Sequence, residues 1–362
     1  MSAPLPILEL AGGPRAIGLG HGREASDRIK NNLSLYTRRY RDEVGLEQAE
    51  VHRRAAMWLE RVSELDPPYA AALRGVAAGS GLSVLDIAAL NARYELFYSE
   101  FSSTGLATAC TAFAILPACA GGGLLVGENW DWFPEVEGVW LRVRWGDLTV
   151  LAFTEAGIVG GKIGFNSAGI GLAVTGLLSH LDRWDGEGIP FHVRAWRVLL
   201  SSDLDAAAAV VEAGRSPCSA SFLVGDATRG RASAFERAPT GTAQIEPDNG
   251  ILVHANHFLR AEQLGVREPL AEDRRSTHLR QRRLADRLTQ AAGAGQVSVE
   301  SVQDALRDHV GRPDSVCRHE SPLFPPALNY RTVLSVVMDL RARRLQYAAG
   351  PPCAGAYHEI AL

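Results

Sequence analysis

The chemistry suggested by this sequence gathers around one cysteine. Thr108–Ala109–Cys110–Thr111–Ala112–Phe113 sets a thiol directly behind small residues, and Leu124–Leu125–Val126–Gly127–Glu128–Asn129–Trp130–Asp131–Trp132 brings in a carboxylate. Residues 110–116 are short, apolar and β-prone, Pro117 stops the run, and Ala120–Gly123 turns the chain. The two stretches therefore predict a two-stranded ribbon that returns Asp131 to the neighbourhood of Cys110. Ser102–Ser103–Thr104–Gly105 reads as a loop, which would leave the Ala109–Cys110 peptide bond accessible. Attack of the thiol on the Ala109 carbonyl would give a thioester that water can cleave. The new terminal Cys110 would then hold both nucleophile and base, since a free α-amine has a pKa near ~8.

These residues need a scaffold. Residues 1–12 predict an edge strand, followed by helices over about 23–40, 47–65, 68–80 and 84–98, with Ser83 as a cap. Residues 1–109 are thus largely helical. From 110 onward the pattern changes to strands at 110–116, 124–128, 139–145, 148–154, 158–164 and 169–175. Paired helices at 189–200 and 203–213 follow, then strands at 220–225, 231–236, 242–246 and 250–254. Helices at 275–292 and 298–310 precede strands at 332–339 and 344–349. Helix blocks bracketing runs of strands predict an α+β fold in which two packed sheets are covered by helices, α/β/β/α. Gly12, Gly13, Gly18, Gly20 and Gly22 lack the strand–turn–helix unit and the Lys-Ser/Thr of a phosphate loop, so they read as structural, as does His21.

Five motifs occur in order: Ala109–Cys110–Thr111; Gly127–Glu128–Asn129–Trp130–Asp131; Glu155–Ala156–Gly157–Ile158 with Gly164–Phe165–Asn166–Ser167–Ala168–Gly169; His254–Ala255–Asn256–His257; and Ser315–Val316–Cys317–Arg318–His319. Together with Asn91–Ala92–Arg93–Tyr94–Glu95 they resemble the acyl-CoA:isopenicillin N acyltransferase (6-aminopenicillanic acid acyltransferase) family of N-terminal-nucleophile (Ntn) hydrolases. The resemblance implies a four-layer Ntn sandwich made of a helical pro-segment, 1–109, and a catalytic core, 110–362. The two pieces would stay associated after self-cleavage at Ala109–Cys110. Cys110 would be the nucleophile and Asp131 would orient the new α-amine. Asn256 would donate to the oxyanion, a contact whose loss typically costs ~2.7–4 kcal/mol. Arg318, or Arg331 ahead of the 332–339 strand, would bind a substrate carboxylate, as a guanidinium fork suits one. Thr111, Asn129 and Trp130 would support the site.

The residues alone leave other roles open: a buried strand thiol at 110, turn residues at 131 and 256, a surface arginine at 318, and helix-to-sheet ties at Asn91, Arg93 and Glu95. The sequence also departs from the family. Ala109 stands where glycine is frequent, Arg331 follows Tyr330 in a shifted register, and Ala238 replaces a functional serine of the penicillin enzyme. His254 and His257 lack the third and fourth partners of a zinc site. A papain-like Cys–His–Asn set is disfavoured because Cys110 opens a strand rather than a helix.

Composition narrows the classes further. The 362 residues carry a net charge of −4, 46% hydrophobic and 22% charged residues, which gives no electrostatic case for nucleic acid or an anionic membrane. No apolar run reaches the ~18 residues of a membrane span. The first ten residues lack a basic and then apolar leader, and five cysteines without close pairing or metal-type spacing suit a reducing cytoplasm. Cys119, Cys218 and Cys353 read as plain small residues. The expected partners are a small acyl substrate (an amide, peptide or thioester) and an amine acceptor or acyl-CoA. No cofactor is expected, because thiol and amine supply the chemistry. Amide hydrolysis is preferred to acyl transfer, and the alternative is a non-processing binding scaffold of the same fold.

Overall fold

The computed structural model describes residues 3–104, 109–269, 275–324 and 329–362. It opens with strand β1 (Ile7–Ala11) and helix α1 (Pro14–Glu24), where Pro14 occupies a first-turn position that needs no N–H. The helix predicted over 23–40 is instead α1 and α2 (Ser26–Val44), parted at Ala25. Gly18, Gly20 and Gly22 therefore lie inside a helix rather than in a lead-in loop. Helices α3 (Gln48–Leu65) and α4 (Pro67–Ser80) follow. A Cβ on Gly18 would sit 1.9 Å from the Ala72 carbonyl oxygen of α4, and one on Gly22 2.3 Å from that of Val76. Glycine is required because the two helix backbones touch.

Ser83 caps α5 (Val84–Asn91) by accepting from Asp86 N–H. The predicted 84–98 helix is broken at Ala92, and α6 (Arg93–Thr104) continues through residues 102–104, which the sequence reading took for loop. Gly105–Thr108 lie outside the described residues.

Strands β2 (Ala109–Ile115), β3 (Leu125–Trp132), β4 (Gly138–Trp145), β5 (Leu148–Glu155), β6 (Ile163–Asn166) and β7 (Ile170–Gly176) come next. Strand β3 runs to Trp132, not 128, because β12 pairs along its whole length; β6 starts late because Gly157 and Gly160, both at positive φ, turn the chain first. Helices α7 (Phe191–Leu199) and α8 (Leu204–Glu212) lead to β8 (Ala220–Asp226), β9 (Arg231–Ala238), β10 (Gly241–Ile245) and β11 (Ile251–His254). The chain ends with α9 (Ala261–Leu264), α10 (Arg275–Gly293), α11 (Val299–Leu306), β12 (Arg331–Asp339), β13 (Arg344–Ala349) and β14 (His358–Ala361). The short α9 and β14 have no counterpart in the sequence reading.

The strands form two sheets. One has the order β1–β4–β5–β6–β7–β8–β9–β10, antiparallel except for β1 alongside β4, and the other the order β11–β2–β3–β12–β13–β14, antiparallel throughout. Strands β2 and β3 pack on β7, while α7 and α8 cover the outer face of the larger sheet and α10 and α11 that of the smaller. The fold is the expected four-layer α/β/β/α sandwich.

The period-2 pattern of β2 fills two cores at once. Cys110, Ala112 and Ala114 face the other sheet, and Phe113 and Ile115 pack with Leu284, Leu288, Val302 and Leu306 of the helical layer. Among the described residues no helix is long and apolar enough to cross a membrane.

Candidate active site

The ribbon of β2 and β3 sets Ala109 opposite Asp131, Cys110 opposite Trp130 and Thr111 opposite Asn129. Cys110 is buried at 4% exposure and lines a narrow recess between the sheets. Trp130 and Trp132 of its own sheet, Lys162 beside the other, and Tyr98 and Phe191 from helices complete the walls. Burial pushes the Cys110 thiol up to about 12, and the carboxyls of Glu128 and Asp131 add to the rise. The thiol is therefore held protonated.

Cys110 N–H donates to Asn256 Oδ1 at 2.6 Å. Arg280 of α10 donates to the same oxygen at 2.9 Å, so two donors converge on one atom and fix it as the amide oxygen. Asn256 Nδ2 donates to the Gly176 carbonyl at 3.0 Å. The sequence reading gave Asn256 a donor's task; here its acceptor oxygen is the part that meets Cys110. Arg280, also buried, donates to Thr111 Oγ1 at 2.7 Å and to the Cys110 carbonyl.

Asp131 is adjacent in backbone but faces the other way. It shares strand parity, and so a face, with Leu125, whose side chain packs in the α10–α11 core, whereas Cys110 faces the opposite sheet. Thr332 Oγ1 donates to Asp131 Oδ1 at 2.6 Å and accepts from Arg318 N–H at 3.0 Å, while buried Asp131 Oδ2 has no hydrogen-bond partner among the described residues. Burial raises Asp131 to about 7, against the lowering charges of Arg280 and Arg318. Asn129 Nδ2 donates to the carbonyls of Leu306 and Val316, at 2.9 and 2.8 Å, joining β3 to α11 and the loop after it.

The wall of the recess carries charge. Lys162 Nζ lies 3.5 Å over the Trp130 ring and 2.5 Å from Glu155 Oε1, and Arg93 pairs with the same oxygen. For Glu155, burial is outweighed by Arg93 and Lys162, which hold it near about 2; burial in turn lowers Lys162 to about 8. Asn91 Nδ2 donates to the Gly157 carbonyl and Glu95 Oε1 accepts from Phe191 N–H, so this helical segment is tied to the rest by hydrogen bonds.

The two arginine candidates separate. Arg318 is buried, ion-paired to Asp314 at 2.5 Å, and joined through Thr332 to Asp131. The Arg331 side chain is 37% exposed and bonds Glu320 and the Pro134 carbonyl, away from the recess. Cys110, Thr111 and Asn256 thus meet at Arg280, and Asp131 and Arg318 meet at Thr332. His254 spends both ring nitrogens on Glu236 and Thr175, and His257 bonds Thr277.

Sequence reasoning missed three participants and one cluster. Glu128, fully buried on the Cys110 face, accepts from Val174 N–H at 2.6 Å through one oxygen and has no partner among the described residues on the other; burial raises it to about 8. Its place in an apolar run was the available signal. Arg280 sits in an arginine-rich helix and Thr332 in an ordinary strand, so nothing local marks either. Cys353, read as a plain small residue, lies beside Cys317, His309 and His319.

A family model described as acyl-coenzyme A:6-aminopenicillanic acid acyl-transferase matches residues 119–353, a span that includes Asp131, Asn256 and Arg318 and begins after Cys110. The acyl-coenzyme A:6-aminopenicillanic-acid-acyltransferase 40 kDa form of Emericella nidulans is 30% identical over 253 residues, covering 68% of this chain and 68% of that protein. Among solved structures, a mutant conjugated bile acid hydrolase from Clostridium perfringens gives a TM-score of 0.47 at 13% identity, over 66% of this chain and 89% of that one. Penicillin V acylase from Agrobacterium tumefaciens gives 0.40 at 16% identity, over 66% and 83%.

Proposed function

The chain belongs to the acyl-coenzyme A:6-aminopenicillanic acid acyl-transferase family, acyltransferases and acylases of the Ntn-hydrolase type, and from that premise we propose that it cuts itself between Ala109 and Cys110 and then works through a Cys110 thioester. The carrying observation is the hydrogen bond from Cys110 N–H to Asn256 Oδ1 at the mouth of a buried recess. The nitrogen that self-cleavage would free already has a polar anchor.

In the first step Cys110 Sγ adds to the Ala109 carbonyl. The C–N bond breaks, the thiol proton passes to the departing nitrogen, and residues 1–109 are left as a thioester. Water then releases the Ala109 carboxylate, a free thiol and an α-amine. Because burial keeps the thiol protonated, attack needs a proton acceptor on its own face. Glu128 lies on that face, and because burial raises it to about 8 it takes the proton only after losing its own, so self-cleavage should quicken as pH rises towards that value. Asp131 lies on the opposite face and is suited to hold the α-ammonium rather than to touch sulfur.

The cut pieces, 1–109 and 110–362, stay together because they share a sheet and a core. Strand β1 pairs with β4, and Asn32, Tyr36, Asn91 and Arg93 bond residues of the second piece.

In the mature enzyme the thioester forms with a small acyl donor and passes to water, or to an amine that displaces water. The relative's name points to acyl-CoA and 6-aminopenicillanic acid as donor and acceptor chemistry. Aromatic walls with two cations against the single charge of Glu155 suit an apolar acyl group bearing or adjoining a carboxylate. The test is to mix the mature protein with phenylacetyl thioester and phenylacetyl amide donors, with and without 6-aminopenicillanic acid. Acyl-Cys110 seen by peptide mass spectrometry, lost in Cys110→Ala, is expected. An acylated residue other than Cys110, or turnover unchanged in Cys110→Ala, would overturn the assignment. The division of product between acid and amide separates hydrolase from transferase.

A further inference from the structure

Away from the recess, four side chains with metal-binding atoms converge. His309 Nε2 lies 3.2 Å from His319 Nε2, and Cys317 Sγ and Cys353 Sγ each lie 3.4 Å from that same nitrogen. All four atoms fall within 4.8 Å of one another. A tetrahedral zinc ion with Zn–S of ~2.3 Å and Zn–N of ~2.0–2.1 Å needs ligand atoms about 3.3 to 3.8 Å apart. The two Cys–His319 spacings of 3.4 Å fall in that range, and the His309–His319 spacing of 3.2 Å lies just below it. We propose that His309, Cys317, His319 and Cys353 form a structural zinc site.

The donor chemistry supports this. Two thiolates and two imidazoles are borderline-soft ligands that select zinc over magnesium or calcium, and no carboxylate belongs to the set. Binding releases one proton from each thiol, so Zn²⁺ with two Cys⁻ and two neutral His is uncharged overall. Four protein ligands close the coordination shell and leave no open position, which makes the site structural rather than catalytic.

The backbone already holds the ligands in place. Cys317 N–H donates to the Asp308 carbonyl and His319 N–H to that of Pro313, each at 3.0 Å, and Arg307 Nε donates to the Pro352 carbonyl at 3.0 Å beside Cys353. Arg312 Nη2 stands 3.3 and 3.2 Å from the two Nε2 atoms. It is an exposed side chain, and it withdraws to solvent when the ion takes those lone pairs.

The site has a structural consequence. Residues 317 and 319 flank Arg318, whose N–H reaches Asp131 through Thr332, and residue 353 belongs to the segment between β13 and β14. One ion would tie the 309–319 segment to the segment around 353. The ligands are 8, 2 and 34 residues apart, which is why no linear spacing motif announces them.

The experiment is elemental analysis of full-length protein expressed with added zinc, then chelator stripping and cobalt titration. The expected results are about one zinc per chain and intense thiolate–cobalt bands of tetrahedral type in the wild type. Cys353→Ser and His309→Ala, checked for folding by circular dichroism, should each lose zinc content by tenfold or more. Less than about a tenth of a zinc per chain, with cobalt spectra lacking tetrahedral bands, would overturn the proposal. So would isolation of a metal-free Cys317–Cys353 disulfide. Because the cobalt spectrum needs only the wild type, misfolded variants cannot leave the question undecided.

Discussion

Thr332→Val removes a hydroxyl and little else, and its effect can be worked through. The hydroxyl donates to Asp131 Oδ1 at 2.6 Å, and Asp131 titrates near about 7 because burial outweighs its favourable neighbours. A hydrogen bond to a charged group contributes roughly 1.5–3 kcal/mol, so its loss lifts the Asp131 pKa by about 1–2 units. At pH 7 the ionised fraction falls from about one half to about 0.01–0.1, a 5- to 50-fold loss. At pH 9 the difference shrinks to about twofold or less. If ionised Asp131 holds the α-ammonium, that new charge lowers the pKa in wild type and variant alike, and kcat/KM for a phenylacetyl thioester must keep the upward displacement of about 1–2 units between them. The variant should show an acid limb displaced upward and near-complete recovery at pH 9. Stability supplies an independent check. A carboxyl raised above its ordinary value keeps its proton in the folded state, so stability falls as pH rises from about 4 to about 7, and in Thr332→Val that fall extends upward to about pH 8–9. Superimposable pH–rate profiles, or a loss equally large at pH 6 and pH 9, would refute the role given to Asp131.

Three further outcomes follow from the same geometry. Glu128, raised to about 8 by burial, retains a proton that the unfolded chain has shed above pH 4.5, so folding stability should decline between these values by up to about 1.4 kcal/mol per pH unit. Glu128→Gln should flatten that decline in urea unfolding at pH 5, 6.5 and 8; identical slopes would contradict its burial as an acid. Gly18→Ala should destabilise by about 1–3 kcal/mol or more, since its Cβ would press on the Ala72 carbonyl. An ordinary exposed Gly→Ala in a helix gains up to about 1 kcal/mol, so the sign of the change in melting temperature decides. Arg331→Ala should cost at most about 1 kcal/mol and leave activity unaltered, because Arg331 makes an exposed ion pair with Glu320. A large loss of turnover in Arg331→Ala would contradict its placement away from the recess.

Much of the fold was legible because its strands alternate and its helices repeat at three and four residues. The order of elements from β2 to β13, the short α9 apart, and the four layers follow from those periods. What sequence reasoning missed depends on contacts between distant segments. Gly18 and Gly22 look like loop formers until Ala72 and Val76 of α4 come against them. Asp131 reads as a turn residue until β12 pairs along β3. For the site, Cys110, Asp131 and Asn256 stood out by type and motif, but strand parity set Asp131 on the face away from the thiol. Arg280 and Thr332, which link these residues, have no local signature. The His309, Cys317, His319 and Cys353 group was hidden for the same reason.

The central claim is that this chain makes its own N-terminal nucleophile, and intact mass measures that directly. Freshly purified wild-type protein and Cys110→Ala should be compared after incubation at neutral pH. The account predicts two fragments, residues 1–109 and 110–362, in the wild type and a single uncut chain in Cys110→Ala. A wild type that stays uncut, and stays uncut again as Ala109→Gly, would contradict it.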